Sequence, residues 1–245
     1  MFIETPGGQQ VLVDGGPDPL GAVRFLGTRM GFADKSLGLV VLTHPHADHV
    51  TGLAEVVDRY RVGTVLEAGE AQEGPAYIAW RKSVEEEGAD VTQAREGQTF
   101  AIGDGVTIEV LNPPARHLRD TASDVNNSSV VLRIVYGRVS FLLTGDVFEE
   151  AEGWLVRQGV LLDSDVLKVA HHGSRTSSSE DCLDKVSPSI AVVSVGEGNR
   201  FGHPHPDTLE ALHREVGAQA VLMTAERGAI EIITDGERLQ VKTER

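Results

Sequence analysis

Thr43-His44-Pro45-His46-Ala47-Asp48-His49 is the stretch that decides the fold of this chain. It places three imidazoles and one carboxylate within six residues, and an apolar, β-branched run at 37–43 leads into it. Imidazole and carboxylate ligands together suit zinc, manganese or iron. A loop of this spacing lets His44 and His46 point one way while Asp48 and His49 point another. The stretch therefore predicts a loop, at the end of a buried strand, that supplies ligands to two neighbouring metal ions.

Two later segments also end apolar runs with metal-binding residue types. In 141–146 a predicted strand delivers Asp146 directly after a glycine, which leaves room for close approach, and we expect this carboxylate to bridge both metals. In 166–174 another apolar run ends in His171 and His172. His171 is favoured as the metal ligand because it comes directly off the strand, with His172 as proton donor or orienting group. The reverse assignment stays open.

The pattern of apolar runs predicts a mixed α/β fold in two halves, each with a sheet and covering helices. The count of elements fits a four-layer αββα sandwich, and we expect residues 1–245 to form one domain. Strands are predicted as two short runs within 2–14 and near 37–43, 62–66, 98–102, 106–111, 129–135, 139–144, 165–170, 190–195, 220–224, 229–234 and 238–242. Helices are predicted near 20–30, 50–60, 75–87, 147–158, 177–186 and 206–216.

The composition is that of a globular chain with a strong acidic balance. Twenty-two Lys and Arg residues stand against 37 Asp and Glu, a formal net charge of −15. This charge repels phosphate polyanions at long range, so any grip on nucleic acid is expected to be local. Cys182 is the single cysteine, which excludes an internal disulfide and a thiolate metal cluster. No apolar run reaches the roughly 18 to 20 residues of a membrane helix and no signal peptide is evident, so the supplied chain is expected to be soluble.

Six segments together resemble the metallo-β-lactamase superfamily and, within it, the hydrolase domain of the ComEC family of DNA-uptake proteins. The glycine-rich end of the first segment and the histidine motif identify the superfamily, while the Asn-rich and His-His-Gly-Ser segments point to ComEC-like and phosphodiesterase-like members. ComEC-like domains begin with a further strand that ends just before Met1, so the resemblance implies one sheet edge that is unpaired or differently covered. The segments are VLVDGG at 11–16, HPHADHVTG at 44–52, NNSS at 126–129, TGD at 144–146, HHGS at 171–174 and GEGNRFGHP at 196–204.

The resemblance also implies a set of ligands. Many superfamily members bind the first metal with a further histidine, but NNSS occupies the corresponding stretch here. That metal would then be bound more weakly or be more exposed. His117 is an alternative ligand for it. The first metal would be held by His44, His46 and Asp146, and the second by Asp48, His49, Asp146 and His171. Residues expected to support these ligands or to contact substrate are Asp14, Asn126, Asn127, Ser129, Ser174 and Asn199.

The loop at 199–205 resembles the Asn-x-x-Gly-His-Pro signature of ComEC-like domains. His203 is expected to face the cleft and contact a phosphate or the leaving group, although a purely structural turn is the alternative. His205 lies outside the signature and is expected at the surface. Candidate phosphate contacts near the motifs are Lys168, Arg175 and Arg200.

These features favour a metal-dependent hydrolase in which two divalent ions, zinc or manganese, activate a water molecule. The leading hypothesis is a phosphodiesterase, a DNA nuclease of the ComEC type, in which Asp48 orients the water and His172 or His203 protonates the leaving oxygen. The alternatives are hydrolysis of a small ester, such as a phosphocholine ester or a lactam, and a non-catalytic accessory domain of a DNA-uptake channel.

The expected partners follow from the leading hypothesis. They are DNA or another phosphodiester and, for a ComEC-like parent, a membrane-embedded channel. The domain would then be extracytoplasmic, and otherwise cytoplasmic. No protein partner can be inferred from the sequence.

Overall fold

The computed structural model describes residues 1–31 and 34–245. The chain forms two compact units: unit 1 comprises residues 1–94 and 102–104, and unit 2 comprises residues 95–101 and 105–245. Each unit has its own cluster of buried apolar side chains. The assignment of residues 1–245 to one domain stays a prediction.

Unit 1 is built on a five-stranded sheet in which the strands follow one another in chain order. The first strand is the edge strand and runs antiparallel to the second, and the remaining neighbours are parallel. The carboxyl ends of the parallel strands therefore lie at one edge of the sheet. The strands are β1 (Phe2–Glu4), β2 (Gln10–Val13), β3 (Ser36–Leu42), β4 (Arg61–Glu67) and β5 (Asp90–Gln93), and the helices are α1 (Gly21–Arg29), α2 (Ala47–Val57) and α3 (Pro75–Glu87).

The core of unit 1 packs these helices against the buried strands. Val40 and Val65 are fully buried, as is Trp80 on α3. The Trp80 indole N–H donates to Glu67 at 3.3 Å, and Arg81 donates to the same carboxylate at 2.7 Å, so the ring is buried with its polar atom satisfied. Proline at the start of α3 and left-handed Gly88 after its end give the helix the bounds predicted from the sequence.

The larger sheet has seven strands in the order β12-β11-β10-β9-β8-β7-β6. From β9 to β12 the neighbours are parallel, so the loops after these strands emerge at one edge. The strands are β6 (Thr99–Gly103), β7 (Val106–Asn112), β8 (Val131–Tyr136), β9 (Val139–Leu143), β10 (Val166–Lys168), β11 (Ile190–Val193) and β12 (Val221–Met223); β13 (Ile230–Thr234) and β14 (Leu239–Thr243) pair separately. The helices are α4 (Asp124–Asn127), α5 (Glu149–Gln158), α6 (Glu180–Val186), α7 (Pro206–Val216) and α8 (Thr224–Arg227).

Several predicted bounds shift in the structure. The helix predicted at 50–60 begins at Ala47, directly after His46, whose backbone is extended. The negative charge of Asp48 in the first turn stabilises this start, because it interacts favourably with the positive end of the helix dipole. The strand predicted at 165–170 ends at Lys168. Strand β5 and the short helices α4 and α8 were not predicted, since segments of four residues carry too little periodicity. Within the described residues, no helix is both long and apolar enough to cross a membrane.

Candidate metal centre

The histidine loop of unit 1 connects β3 to α2 and is fixed by Asp14, which follows β2. The parallel pairing of β2 and β3 brings the two loops together, and the Thr43 N–H and hydroxyl each donate to the Asp14 carboxylate at 2.9 Å. His49 Nδ1 lies 2.7 Å from Asp14 Oδ2. Because a carboxylate only accepts, His49 carries a proton on Nδ1, and Nε2 is the nitrogen left to bind a metal. That nitrogen lies 3.8 Å from Asp48 Oδ2.

Charge and hydrogen bonding keep Asp14 ionised. Burial alone would raise the pKa of this carboxyl group, but the neighbouring His49 ring and the hydrogen bonds from His49 and Thr43 outweigh it, so the pKa lies below its ordinary value. An ionised Asp14 is the acceptor that sets the orientation of His49. The predicted supporting role of Asp14 therefore has a physical basis in this contact.

His44 and His46 form the other part of the loop. The single Thr43 hydroxyl proton goes to Asp14, so the hydroxyl oxygen accepts from His44 Nδ1, 3.1 Å away. This leaves the His44 lone pair on Nε2, which lies 3.0 Å from His46 Nδ1. His44 is 1% exposed. Two ring nitrogens that converge in this way fit the nitrogen ligands that zinc or manganese would take.

In unit 2 Asp146 lies in the turn after β9 and is 2% exposed. Its backbone N–H donates to the buried Ser129 hydroxyl at 3.2 Å. Lys168, at the end of the neighbouring strand β10, donates to the Gly145 carbonyl at 3.0 Å, and its ammonium lies 3.7 Å from Asp146 Oδ1. The positive charge offsets the burial of the carboxylate. Lys168 thus contacts the predicted bridging ligand.

The two histidines after β10 differ sharply in their contacts. Both have left-handed backbone angles, with φ values of 45° for His171 and 55° for His172. His172 Nδ1 donates to the Ser194 carbonyl at 2.7 Å, so Nε2 carries the lone pair, and it lies 3.4 Å from Asp146 Oδ2. A ring held by a carbonyl on one nitrogen is the usual arrangement of a metal-binding histidine. This geometry favours the alternative assignment, with His172 as the ligand.

His171 has a different environment. Its Nδ1 lies 3.0 Å from the Thr176 hydroxyl, and its ring stacks on Phe148 with centroids 4.9 Å apart. Burial lowers the pKa of His171, and the neighbouring His172 and His203 rings add to the effect against the pull of Asp146. A lowered pKa keeps this ring neutral at neutral pH.

The Asn-rich segment has a clear structural part. Asn127 is fully buried, its side-chain oxygen accepts from the N–H groups of Phe148 and Ala151 at 3.0 and 3.3 Å, and it thereby satisfies the start of α5. Asn112, which the sequence analysis did not single out, donates to the carbonyls of Asn127 and Ser129 at 3.0 and 2.7 Å. Asn126 is 4% exposed. These contacts fix the segment that carries Ser129 beside Asp146.

Glu150 joins this segment to α5 and gives a prediction about pH. Its carboxylate accepts from the Ala122 N–H at 2.9 Å and from the Asn127 amide at 3.3 Å, and the first of these contacts chiefly lowers its pKa below the ordinary value of 4.5. Its stabilising contribution is therefore present above pH 4.5 and is lost as the pH falls through the lower pKa of the folded state. We expect the Ala122 amide proton shift in NMR spectra to titrate with a midpoint below 4.5.

Glu150→Gln is the matched control for this titration, because it removes the ionisable group while keeping an oxygen acceptor. The low-pH step at Ala122 should disappear in that variant. A midpoint at or above 4.5 in the unmodified chain would contradict the assigned contact.

The loop after β11 brings His203 to the same edge of the larger sheet. Asn199 fixes it from both sides: its amide donates to the His203 carbonyl at 2.7 Å, and its oxygen accepts from the His203 N–H at 3.0 Å. The His203 ring lies 5.7 Å from the His171 ring, centroid to centroid. Burial, together with the His172 ring, lowers the pKa of His203.

Ser174, a predicted supporting residue, acts on His171 through Thr176. Its hydroxyl accepts from the Thr176 hydroxyl at 3.0 Å, and this contact orients the hydroxyl that lies beside His171 Nδ1.

The remaining predicted residues are distributed as follows. Arg175 and Arg200 are exposed, as a phosphate contact requires. His205 is partly exposed, and its ring accepts from the Asp207 N–H at 3.2 Å, so it caps the start of α7 from the surface. His117 is half-buried in a stretch without helix or strand.

Comparison with known proteins identifies the class. Residues 1–197 match the family described as the metallo-beta-lactamase superfamily, so the chain belongs to this superfamily of metal-dependent hydrolases. The predicted fold class is confirmed at the level of the mixed α/β metallo-β-lactamase fold.

Particular relatives narrow the resemblance. The chain is 35% identical over 199 residues to ComE operon protein 3 of Bacillus subtilis, covering 80% of this chain and 24% of that protein. It is 30% identical to Recombination protein 2 of Haemophilus influenzae, covering 84% and 23%, and 41% identical over 131 residues to Competence protein ComA of Neisseria gonorrhoeae, covering 52% and 18%. The predicted resemblance to competence proteins is confirmed, and the chain spans about a quarter of the length of the first two relatives.

Solved structures agree on the fold. The diiron β-hydroxylase CmlA of Streptomyces venezuelae has a TM-score of 0.58 at 17% identity, covering 88% of this chain and 49% of that one. Igni18, a metallo hydrolase of Ignicoccus hospitalis, has a TM-score of 0.53 at 15% identity, covering 98% and 93%. These similarities concern the fold alone.

Proposed function

We propose that the chain is a phosphodiesterase that hydrolyses DNA with two divalent metal ions, zinc or manganese. The orientation of the histidines carries this proposal. His49 and His172 each donate through Nδ1 to a fixed acceptor, which leaves Nε2 facing a carboxylate oxygen of the same unit. Neutral histidines with one nitrogen held and the other beside a carboxylate are the donor set that divalent ions bind.

The proposed ligands lie in the segments that follow β3, β9 and β10. Of the two histidines after β10, His172 is preferred over His171 because its Nε2 lies 3.4 Å from Asp146 Oδ2, whereas His171 Nδ1 lies beside the Thr176 hydroxyl. In this proposal Asp146 would be a ligand that both ions share. When bound, such a pair of ions lowers the pKa of a water molecule and stabilises charge on the attacking and leaving oxygens of a phosphodiester. The proposed ligands are His44, His46, Asp48, His49, Asp146 and His172.

The chain's own groups then have separate tasks. Asp48, with a side chain that is 50% exposed, is proposed to orient the attacking water. The positive charge of Lys168, 3.7 Å from Asp146 Oδ1, offsets the cost of burying that carboxylate. His203 is neutral at neutral pH because burial lowers its pKa, and its ring N–H is proposed to hydrogen-bond the leaving oxygen.

The names of two relatives support DNA as the substrate, since one refers to recombination and the other to competence. By analogy with them, we propose that the chain acts in DNA uptake as the hydrolase part of a larger protein with a membrane channel. The acidic net charge of −15 requires local cationic contacts, for which Arg175 and Arg200 are proposed.

The test is cleavage of labelled single-stranded DNA, duplex DNA and bis-p-nitrophenyl phosphate by the chain loaded separately with manganese and with zinc. We expect DNA cleavage with at least one metal and a loss of at least roughly 100-fold in Asp48→Ala. Asp58→Ala, an exposed carboxylate at the other end of α2, is the matched control and should retain activity.

The other outcomes separate the alternatives. Inactivity on all three substrates, with both metals confirmed bound by mass spectrometry, would exclude the nuclease. Turnover of a phosphocholine ester or a lactam in its place would make the chain a small-ester hydrolase. Binding of DNA without hydrolysis of any substrate would make it an accessory domain.

A further inference from the structure

A row of rings in unit 2 runs from the protein surface to the proposed ligands. The Phe201 ring stacks on His203 with centroids 5.9 Å apart and an interplanar angle of 18°. His203 meets His171 edge-on at 5.7 Å, and His171 stacks on Phe148 at 4.9 Å. The outer end of the row is therefore two ring contacts from the histidine pair that follows β10.

Phe201, at the outer end of this row, is largely exposed to solvent. Phe201 is 68% exposed, the highest value among the exposed large hydrophobic side chains of the described residues. The Arg200 guanidinium lies 5.1 Å from the centroid of the Phe201 ring. A ligand that covered this ring would remove apolar surface from water, which is favourable. An aromatic ring paired with an arginine is a platform on which nucleobases stack.

We propose that Arg200 and Phe201 form a stacking platform for one base of single-stranded DNA, next to the phosphodiester that is cleaved. The inference rests on the proposed function, which supplies the phosphodiester. It adds a specificity: unpaired bases are bound, because a base inside a duplex has both faces covered by its neighbours.

The charge of the chain makes such a platform useful. With a net charge of −15, the chain has little long-range attraction for a polyanion. Stacking does not depend on net charge and is tolerant of sequence, since every base has a π-face. The Asn199 side chain holds the loop through both the N–H and the carbonyl of His203, so the platform is fixed before a base arrives.

The experiment compares two short single-stranded oligonucleotides, one with 2-aminopurine among normal bases and one with abasic sugars throughout. The metal-loaded chain is mixed with each, and stopped-flow fluorescence or anisotropy records binding before cleavage products accumulate. We expect Phe201→Ala to weaken binding of the base-containing strand by roughly 5- to 150-fold and to abolish the 2-aminopurine quench. Binding of the abasic strand should be unchanged, and Phe201→Trp should retain both affinity and quench.

Phe25→Ala is the matched control. Phe25 is also partly exposed, at 38%, and the Arg29 guanidinium lies 5.6 Å from its ring, but it belongs to α1 of unit 1 and is in neither proposed site. This variant should bind both strands like the unmodified chain.

The outcomes distinguish this inference from the proposed function. If the unmodified chain cleaves DNA and Phe201→Ala binds and quenches equally well, the platform is refuted and the nuclease stands. An equal loss on the abasic strand also refutes it, because Phe201 then only supports the loop. If no DNA is cleaved but the quench still depends on Phe201, the platform is supported and the hydrolytic function fails.

Discussion

Asp146→Asn should remove metal from the chain and abolish its hydrolytic activity. Asparagine keeps the shape of the side chain and one oxygen, but it loses the negative charge that a bridging ligand requires. The loss of activity should exceed the roughly 10- to 100-fold typical of a residue that only orients a ligand. Bound metal is measured by mass spectrometry after dialysis, and activity on the DNA substrate that the unmodified chain cleaves.

The same substitution should lower stability through Lys168. The Lys168 ammonium, in a side chain that is 12% exposed, lies 3.7 Å from Asp146 Oδ1. In the variant this buried positive charge would no longer face the negative charge of the Asp146 carboxylate. A second variant separates folding from metal binding: adding Lys168→Met should recover thermal stability without recovering metal. Asp163→Asn, at an exposed carboxylate of the same unit, is the control and should retain metal and activity. Full metal content in a folded Asp146→Asn chain would show that Asp146 is not a ligand.

Most of the candidate site residues were predicted from the sequence because they stand at the ends of apolar runs. His44 and Asp146 each follow a buried strand by a few residues, and parallel strands bring such ends to one edge of their sheet. The roles of His171 and His172 did not follow from spacing, since β10 ends at Lys168 and both histidines have left-handed backbones, so the alternation of a strand no longer sets where their rings point. The orientation of His172 depends on the Ser194 carbonyl, 22 residues away.

Polar contacts between distant segments, and contacts between rings, could not be predicted from the sequence either. The buried Asn112 looks in the sequence like part of a turn before two prolines, yet its amide holds the segment that carries Ser129. Asn127 was predicted as a substrate or supporting residue, and its observed contacts make it the group that satisfies the start of α5. The ring row joins three segments of the chain, and no local pattern encodes such an arrangement.

Gly52→Ala should strongly destabilise unit 1. A Cβ at this position would lie 2.2 Å from the Gly15 carbonyl oxygen and 3.1 Å from the Asp18 carbonyl oxygen. Both are backbone atoms, and the Gly52 N–H already donates to the Gly16 carbonyl at 3.0 Å, so the helix cannot withdraw without losing that bond. We expect a loss of about 2 to 3 kcal/mol, within the range for overpacked sites. For a chain of this size the melting temperature should fall by roughly 4 to 12 °C, measured by circular dichroism.

The crowded contact matters for the site because it holds the loop of Asp14. The Gly15 N–H donates to the His49 carbonyl at 2.7 Å, so separating α2 from this loop would move His49 away from the carboxylate that orients it. Metal affinity should therefore fall together with stability. Gly27→Ala is the control, since a Cβ there meets no atom within 4 Å on α1 and alanine is favoured in a helix by about 0.5 to 1 kcal/mol. A Gly52→Ala chain that melts with the unmodified protein would show that α2 and the Asp14 loop are not in the contact described.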